Sequence, residues 1–198
     1  IAGSSLKPAS PEWKDSKFEL GMLLHQKEKF EDAINELEDA IERYPDDPQR
    51  LTAQYVIGEC YRRWAQESLK ESQQTRAGSE HDKWMQQTTD RLNAALRQFE
   101  DVQRTIALKT HDIHKEPLLG PMLRNCYMQE GAVLFDLATL TGAKERYQEA
   151  IEVYSNVSSL YPDEPFALET FVQIANCWRR RDRPDNARKA IDQARMVL

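Results

Sequence analysis

The sequence predicts an all-α chain: about four pairs of antiparallel helices, stacked as a right-handed αα superhelix, with the second pair lengthened. Three observations carry this. Glycine makes up only 7 of 198 residues, so there is little material for tight hairpins or glycine-lined phosphate loops. The segment 31–48 (EDAINELEDAIERYPDDP) recurs as 148–165 (QEAIEVYSNVSSLYPDEP), identical at six of eighteen positions. Each copy ends on Tyr-Pro and restarts at Asp-Pro or Glu-Pro, because proline breaks a helix interior but suits its first turn.

The first pair spans about 10–47. Ser10-Pro11-Glu12 reads as a cap and first turn, which leaves 1–9 as a flexible N-terminal segment and 10–198 as a single domain. Its first helix carries the small residue Gly21 between Leu20 and Leu24. The second carries Ala33, Leu37 and Ala40 before Tyr44-Pro45. The second pair, about 48–110, restarts after Asp47-Pro48 and places Gly58 three residues before Tyr61. A small residue beside a large one lets a neighbouring helix approach closely. From Gly21 to Ala33 is twelve residues, but from Gly58 to Ala95 is 37, an excess of 25.

That excess reads as longer helices. Arg62–Gln74 and Lys83–Lys109 contain neither Pro nor Gly, and Thr75-Arg76-Ala77-Gly78-Ser79 supplies the turn. Trp64, Leu69, Trp84, Met85, Thr88, Leu92 and Leu96, at three-and-four spacing, are the expected seam. The third pair, about 117–163, runs from Gly131 to Ala150, nineteen residues, with Tyr154, Val157 and Pro162 following. The fourth, about 164–198, returns to twelve, from Ala175 beside Ile174 and Trp178 to Ala187, then Ile191 and Ala194.

These small and aromatic positions resemble the tetratricopeptide repeat family, whose units are helix pairs of about 34 residues. The resemblance covers nearly the whole chain from Ser10. It implies a non-catalytic scaffold that binds a partner peptide or protein in a concave groove. The run Tyr44-Pro45-Asp46-Asp47-Pro48, followed by 53–61 (AQYVIGECY), resembles a bacterial subgroup found in outer-membrane assembly lipoproteins and Tol-Pal-associated periplasmic proteins. That likeness implies partners in the cell envelope, periplasmic placement and membership of a larger multi-repeat protein.

In such a stack, the residue after each small residue, with those three before and four or five after it, shares the concave face. The candidate lining is therefore Phe18, Met22, His25 and Gln26, then Tyr55, Glu59, Arg62 and Arg63. It continues with Met128, Ala132, Phe135 and Asp136, and ends with Val172, Asn176, Arg179 and Arg180. Arginines beside aromatic and methionine side chains suit a peptide that combines carboxylates with apolar anchors. Asn176 falls where some repeats of this family clamp a C-terminal carboxylate, but Phe18 and Met22 stand where that clamp needs polar groups.

Other chemistries find less support. The net charge is −6, the wrong sign for tracking phosphates, although Arg179, Arg180, Arg181 and Arg183, with Arg188 and Lys189 nearby, form a cluster that an anionic ligand or nucleic acid could use. Cations at a helix C-terminus explain the same cluster, and no aromatic platform accompanies it. Cys60, Cys126 and Cys177 lack C-x-x-C spacing and read as buried apolar residues. His111, Asp112, His114 and Glu116 sit beside Pro117 in an expected loop, where two histidines three apart share no helix face. His25 and His81 stand alone. No phosphate-loop, dinucleotide, metalloprotease or nucleophile-elbow motif occurs, so no enzyme, metal or cofactor is expected. The longest apolar run, Ala132–Phe135, is far below the roughly 20 residues of a membrane span. The chain opens at Ile1, as a processed or excised piece would, and ends on Met196-Val197-Leu198. Whereas the start around Trp13, Lys14 and Asp15 can be capped, this apolar finish is expected either to continue into further repeats or to pair with a second copy.

Overall fold

The structure, a computed structural model, describes residues 11–109, 117–162 and 165–197. Among these are eight helices and no strand: α1 (Pro11–Gln26), α2 (Phe30–Arg43), α3 (Arg50–Gln74), α4 (Ser79–Lys109), α5 (Leu119–Thr141), α6 (Lys144–Leu160), α7 (Pro165–Arg180) and α8 (Pro184–Met196). Of the four helix pairs the second is the enlarged one, with α3 and α4 the two longest helices. The expected cap Ser10, the segment 1–9, the His111–Glu116 cluster and Leu198 lie outside the described residues. The chain divides into two compact units, Ile1–Gln98 and Phe99–Leu198, and the division falls within α4.

In the first unit α1 packs on α2, and α3 packs on both. Phe18, Leu37, Ile57 and Cys60 are almost wholly enclosed at its centre. The turn between α1 and α2 takes Glu28 into the left-handed region at φ 60°, and the Lys29 amide donates to the Leu24 carbonyl at 3.0 Å. The turn between α7 and α8 repeats this geometry, with Asp182 at φ 57° and the Arg183 amide on the Trp178 carbonyl at 3.0 Å. Such a backward bond satisfies a carbonyl that the helix end would otherwise leave unpaired. Between α2 and α3, the Asp47 carboxylate accepts the Gln49 amide at 2.8 Å and the Lys14 ammonium at 2.6 Å. One acidic side chain thus starts α3 and ties it to α1. The Lys14 ammonium holds the Asp47 carboxyl below its usual range, against the opposing effect of burial.

The long hairpin of α3 and α4 closes differently from its expected apolar seam. Thr88 and Leu92 are buried as predicted, but on α3 the buried positions are Ala65, Ser68 and Ser72, while Trp64 and Leu69 are only half-buried. Ser68 and Ser72 turn their hydroxyls back to the carbonyls of Trp64 and Leu69, which lets small polar residues sit between helices with their hydrogen bonds made. Arg91 bridges the pair, lying 3.5 Å above the Trp64 ring and donating to the Ser68 hydroxyl. Near the tip, His81 Nδ1 bonds the Ser72 carbonyl at 2.9 Å, which requires that nitrogen to carry the proton.

In the second unit α5 packs on α6, α6 on α7 and α7 on α8. Gln103 of α4 donates to Glu130 of α5 at 2.6 Å. Both Tyr-Pro tyrosines reach back to the first helix of their own pair. The Tyr44 ring lies 6.4 Å from that of Phe18, and the Tyr161 hydroxyl donates to the Gly120 carbonyl at 3.1 Å. The helix-ending tyrosine is therefore a clasp as well as a stop.

The small-against-large contact is tight. A Cβ placed on Gly21 would lie 2.4 Å from Leu37 Cγ, and one on Gly131 would lie 2.6 Å from the Tyr154 ring. Tyr154 is itself buried, so its ring cannot swing clear. We expect Gly131→Val to destabilise the second unit by about 1–3 kcal/mol, the range for overfilling a packed interior. A lowered urea midpoint with unchanged helicity is the measurement that checks this.

Candidate partner-binding surfaces

Each unit presents its own surface on the first helices of its pairs. In the first unit α3 carries Tyr55, Glu59, Arg62 and Arg63 at offsets of four, seven and eight residues, which keeps them on one face. The Tyr55 hydroxyl donates to Glu59 Oε1 at 3.1 Å. Arg63 pairs with Glu28 and lies 5.0 Å above the Phe30 ring. From α1, His25 comes close enough to feel both Glu59 and Arg63. Burial is the largest influence on its imidazole and lowers its pKa; Glu59 opposes that shift and Arg63 adds to it. His25, Tyr55, Glu59, Arg62 and Arg63 thus form one polar surface, able to exchange hydrogen bonds and charge with a peptide.

Phe18 does not belong to it. It is fully enclosed in the core beside Tyr44, so the expectation that it lines a groove is corrected. The face containing Phe18 points between α2 and α3, where a large apolar ring gains most from leaving water. Met22 is half-buried against the same core, while Gln26 is exposed.

The second unit divides its predicted lining. Phe135 is half-buried on α5, edge-on to Tyr147 at 5.3 Å, and Arg180 of α7 lies 6.0 Å above it. Arg124 lies 4.0 Å above the Phe166 ring, a second cation–π bridge between α5 and α7 that the sequence reading missed. Met128, Ala132 and Asp136 are half-buried along α5. Val172, Asn176 and Arg179, however, line a different hollow of about 590 Å³ between α7 and α8, together with Ala187 and Ile191. Arg179 and Arg180 are sequence neighbours about 100° apart around the helix, and they serve separate surfaces.

The arginine cluster disperses in the same way. Arg181 donates to Gln148 and lies 4.9 Å above the Trp178 ring, Arg188 pairs loosely with Asp185 at 4.0 Å, and Arg180 faces Phe135. Arg179 and Arg180 occupy the last turn of α7, where the helix dipole favours cations. No continuous basic track results from these directions.

Among the described residues no group of three His, Cys, Asp or Glu side chains is placed to hold a metal ion. Nor is any described helix long and apolar enough to cross a membrane. All three cysteines are buried and free of disulfides. Burial pushes the thiols of Cys60 and Cys177 up to about 12.

Two measurements follow from these burial effects. Because the thiolate is the reactive form, native protein at pH 8 is expected to resist a disulfide reagent, with three thiols titrating only in denaturant. The lowered His25 pKa means that the unfolded chain binds a proton more readily than the folded one, so stability falls as pH drops below the ordinary histidine value of 6.5. His25→Gln is expected to flatten that part of the urea-midpoint profile between about pH 6.5 and 5.

Residues 15–47 match the tetratricopeptide repeat family model, a span that covers α1 from Asp15 and all of α2. No curated protein matches the chain. Among solved structures it is similar to MamA of strain AMB-1, at 13% identity and TM-score 0.39, over 95% of this chain and 93% of that one. It is similar to PilF of Pseudomonas aeruginosa, at 14% identity and TM-score 0.38, over 94% of this chain and 77% of that one. A third likeness is to PlcR of Bacillus thuringiensis, solved with the peptide PapR7 and DNA, at 12% identity and TM-score 0.38, over 96% of this chain and 70% of that one. The match to the tetratricopeptide repeat model is thus confined to the first helix pair, residues 15–47, and the third pair rebuilds the same small-against-large joint with Gly131 and Tyr154.

Proposed function

We propose that this chain is a non-catalytic scaffold that binds a partner protein or peptide through the first-helix surfaces of its pairs. One observation carries the reading. His25, Tyr55, Glu59, Arg62 and Arg63 are brought onto one half-buried surface from two helices, α1 and α3, while the enclosed core beneath is built from other residues, with Tyr55 packed against its edge. Side chains that the core does not use, held by a rigid helical support, suit recognition. In the second unit the Phe135–Arg180 surface offers the same combination of ring and guanidinium. The partner is a segment with carboxylates spaced among apolar anchors, since the lining alternates arginine with aromatic and methionine side chains. The resemblance of 44–61 to bacterial envelope repeats supports a place in the cell envelope.

The test is affinity capture from cell-envelope extracts of a related bacterium, followed by titration of the captured partner. Arg62→Glu in the first unit and Arg180→Glu in the second reverse charge at exposed or half-buried positions, so helicity should be unchanged. Loss of at least tenfold in affinity in either variant locates the site. Full retention in both variants moves binding away from these surfaces and overturns the reading.

A further inference from the structure

The hollow between α7 and α8 has the form of a seat for one more helix. In each unit the first helix of a pair packs on the second helix of the pair before it, α3 on α2 and α7 on α6. Among the described residues nothing packs in this way on α8, and Val172 and Ile191 remain 39% and 36% exposed there. Ala175 and Ala187 floor the hollow, and their small side chains permit close approach. Arg179, Arg188 and Arg195 stand around it against a single carboxylate, Asp192. That basic rim sets α8 apart from α2, which carries Glu31, Asp32, Glu36, Glu38, Asp39 and Glu42. The helix that sits here must therefore bring acidic residues.

The outer face of α1 has that character. Glu12, Ser16, Glu19, Leu20 and Leu23 are all exposed, with Leu20 and Leu23 at 41% and 45%, and their spacing places them on one stripe. We propose that α1 of a second copy of this chain docks in the α7–α8 hollow, so that copies associate head to tail.

The two faces agree in charge, length and register. The α1 stripe from Glu12 to Leu23 and the α8 stripe from Pro184 to Arg195 each advance eleven residues, about 16 Å of helix. Run antiparallel, as successive helices run throughout the array, Glu12 stands level with Arg195 and Glu19 with Arg188. The same register sets Leu20 over Ala187, a large residue on a small one, as Leu37 meets Gly21 within the first pair. The present partners of the two arginines are weak: Arg188–Asp185 at 4.0 Å and Arg195–Asp192 at 3.3 Å are exposed pairs that a better-placed carboxylate displaces. Because the joined faces differ, the contact is heterologous. It propagates into closed rings, of which two reciprocal copies are the smallest, or into open chains of copies.

Sedimentation velocity on the 198-residue chain tests this. We expect the weight-average mass to rise with protein concentration, and the rise to disappear near 1 M salt, where the Debye length shrinks to about 3 Å. Arg188→Glu/Arg195→Glu and Glu12→Arg/Glu19→Arg should each remain monomeric with unchanged helicity. Mixed in equal amounts they should associate again, because each then offers the charge that the other lacks. A wild-type chain that stays monomeric at every concentration overturns the proposal. So does wild-type-like association by Glu12→Arg/Glu19→Arg, which would mean that the seat is filled by something other than α1, and so does a mixture that fails to recover.

Discussion

Two helices approach most closely where one of them carries no side chain at the crossing. Gly21 and Gly131 supply that gap, and Leu37 and the Tyr154 ring fill it. The rest of the structure follows from this contact. It fixes which face of each first helix points inward, and hence which residues are left for solvent. Phe18 lies on the inward side and becomes core, while His25 and its neighbours on α3 lie on the outward side and form a surface. The tyrosines that end α2 and α6 reinforce the same pairing from the opposite end, Tyr44 against Phe18 and Tyr161 on the Gly120 carbonyl.

Electrostatics adds selectivity to this packing. Within the chain, acidic side chains and cationic partners meet at the joints: Lys14 holds Asp47 at the start of α3, and Lys17 reaches both Glu36 and Asp39 of α2. Such pairs are individually worth little in water, yet their signs decide which helix faces can be neighbours. The last second-helix, α8, reverses the pattern with Arg188, Lys189 and Arg195, and its free face accepts acidic company. Guanidinium–ring contacts are a second recurrent device. Arg63 over Phe30, Arg91 over Trp64, Arg124 over Phe166 and Arg180 over Phe135 each use an arginine to cover an aromatic ring; Trp64, Phe166 and Phe135 are half-buried, whereas Phe30 belongs to the core.

Much of the fold was legible because its signals are local. Proline after Tyr44 and Tyr161, and the absence of Pro and Gly from Arg62–Gln74 and Lys83–Lys109, set where helices end and lengthen. The candidate site was less legible. Helical spacing places Val172, Asn176, Arg179 and Arg180 near one another, but whether a given side chain turns toward α5 or α8 depends on where those helices lie. Ser68 and Ser72 were overlooked in the hairpin seam, since a hydroxyl reads as exposed until its bond to the preceding turn is seen.

The sequence alone therefore determined the class, the number of helix pairs and the enlarged second pair, all of which rest on backbone chemistry acting over a few residues. Tertiary structure alone decided that Phe18 is core, that Arg91 bridges the long hairpin, that the chain divides into two units within α4, and that the arginines of 179–188 face several ways. These depend on contacts between residues far apart in the chain. The free energy of such a contact belongs to the pair and to the water that leaves it, and neither partner's sequence neighbourhood contains it.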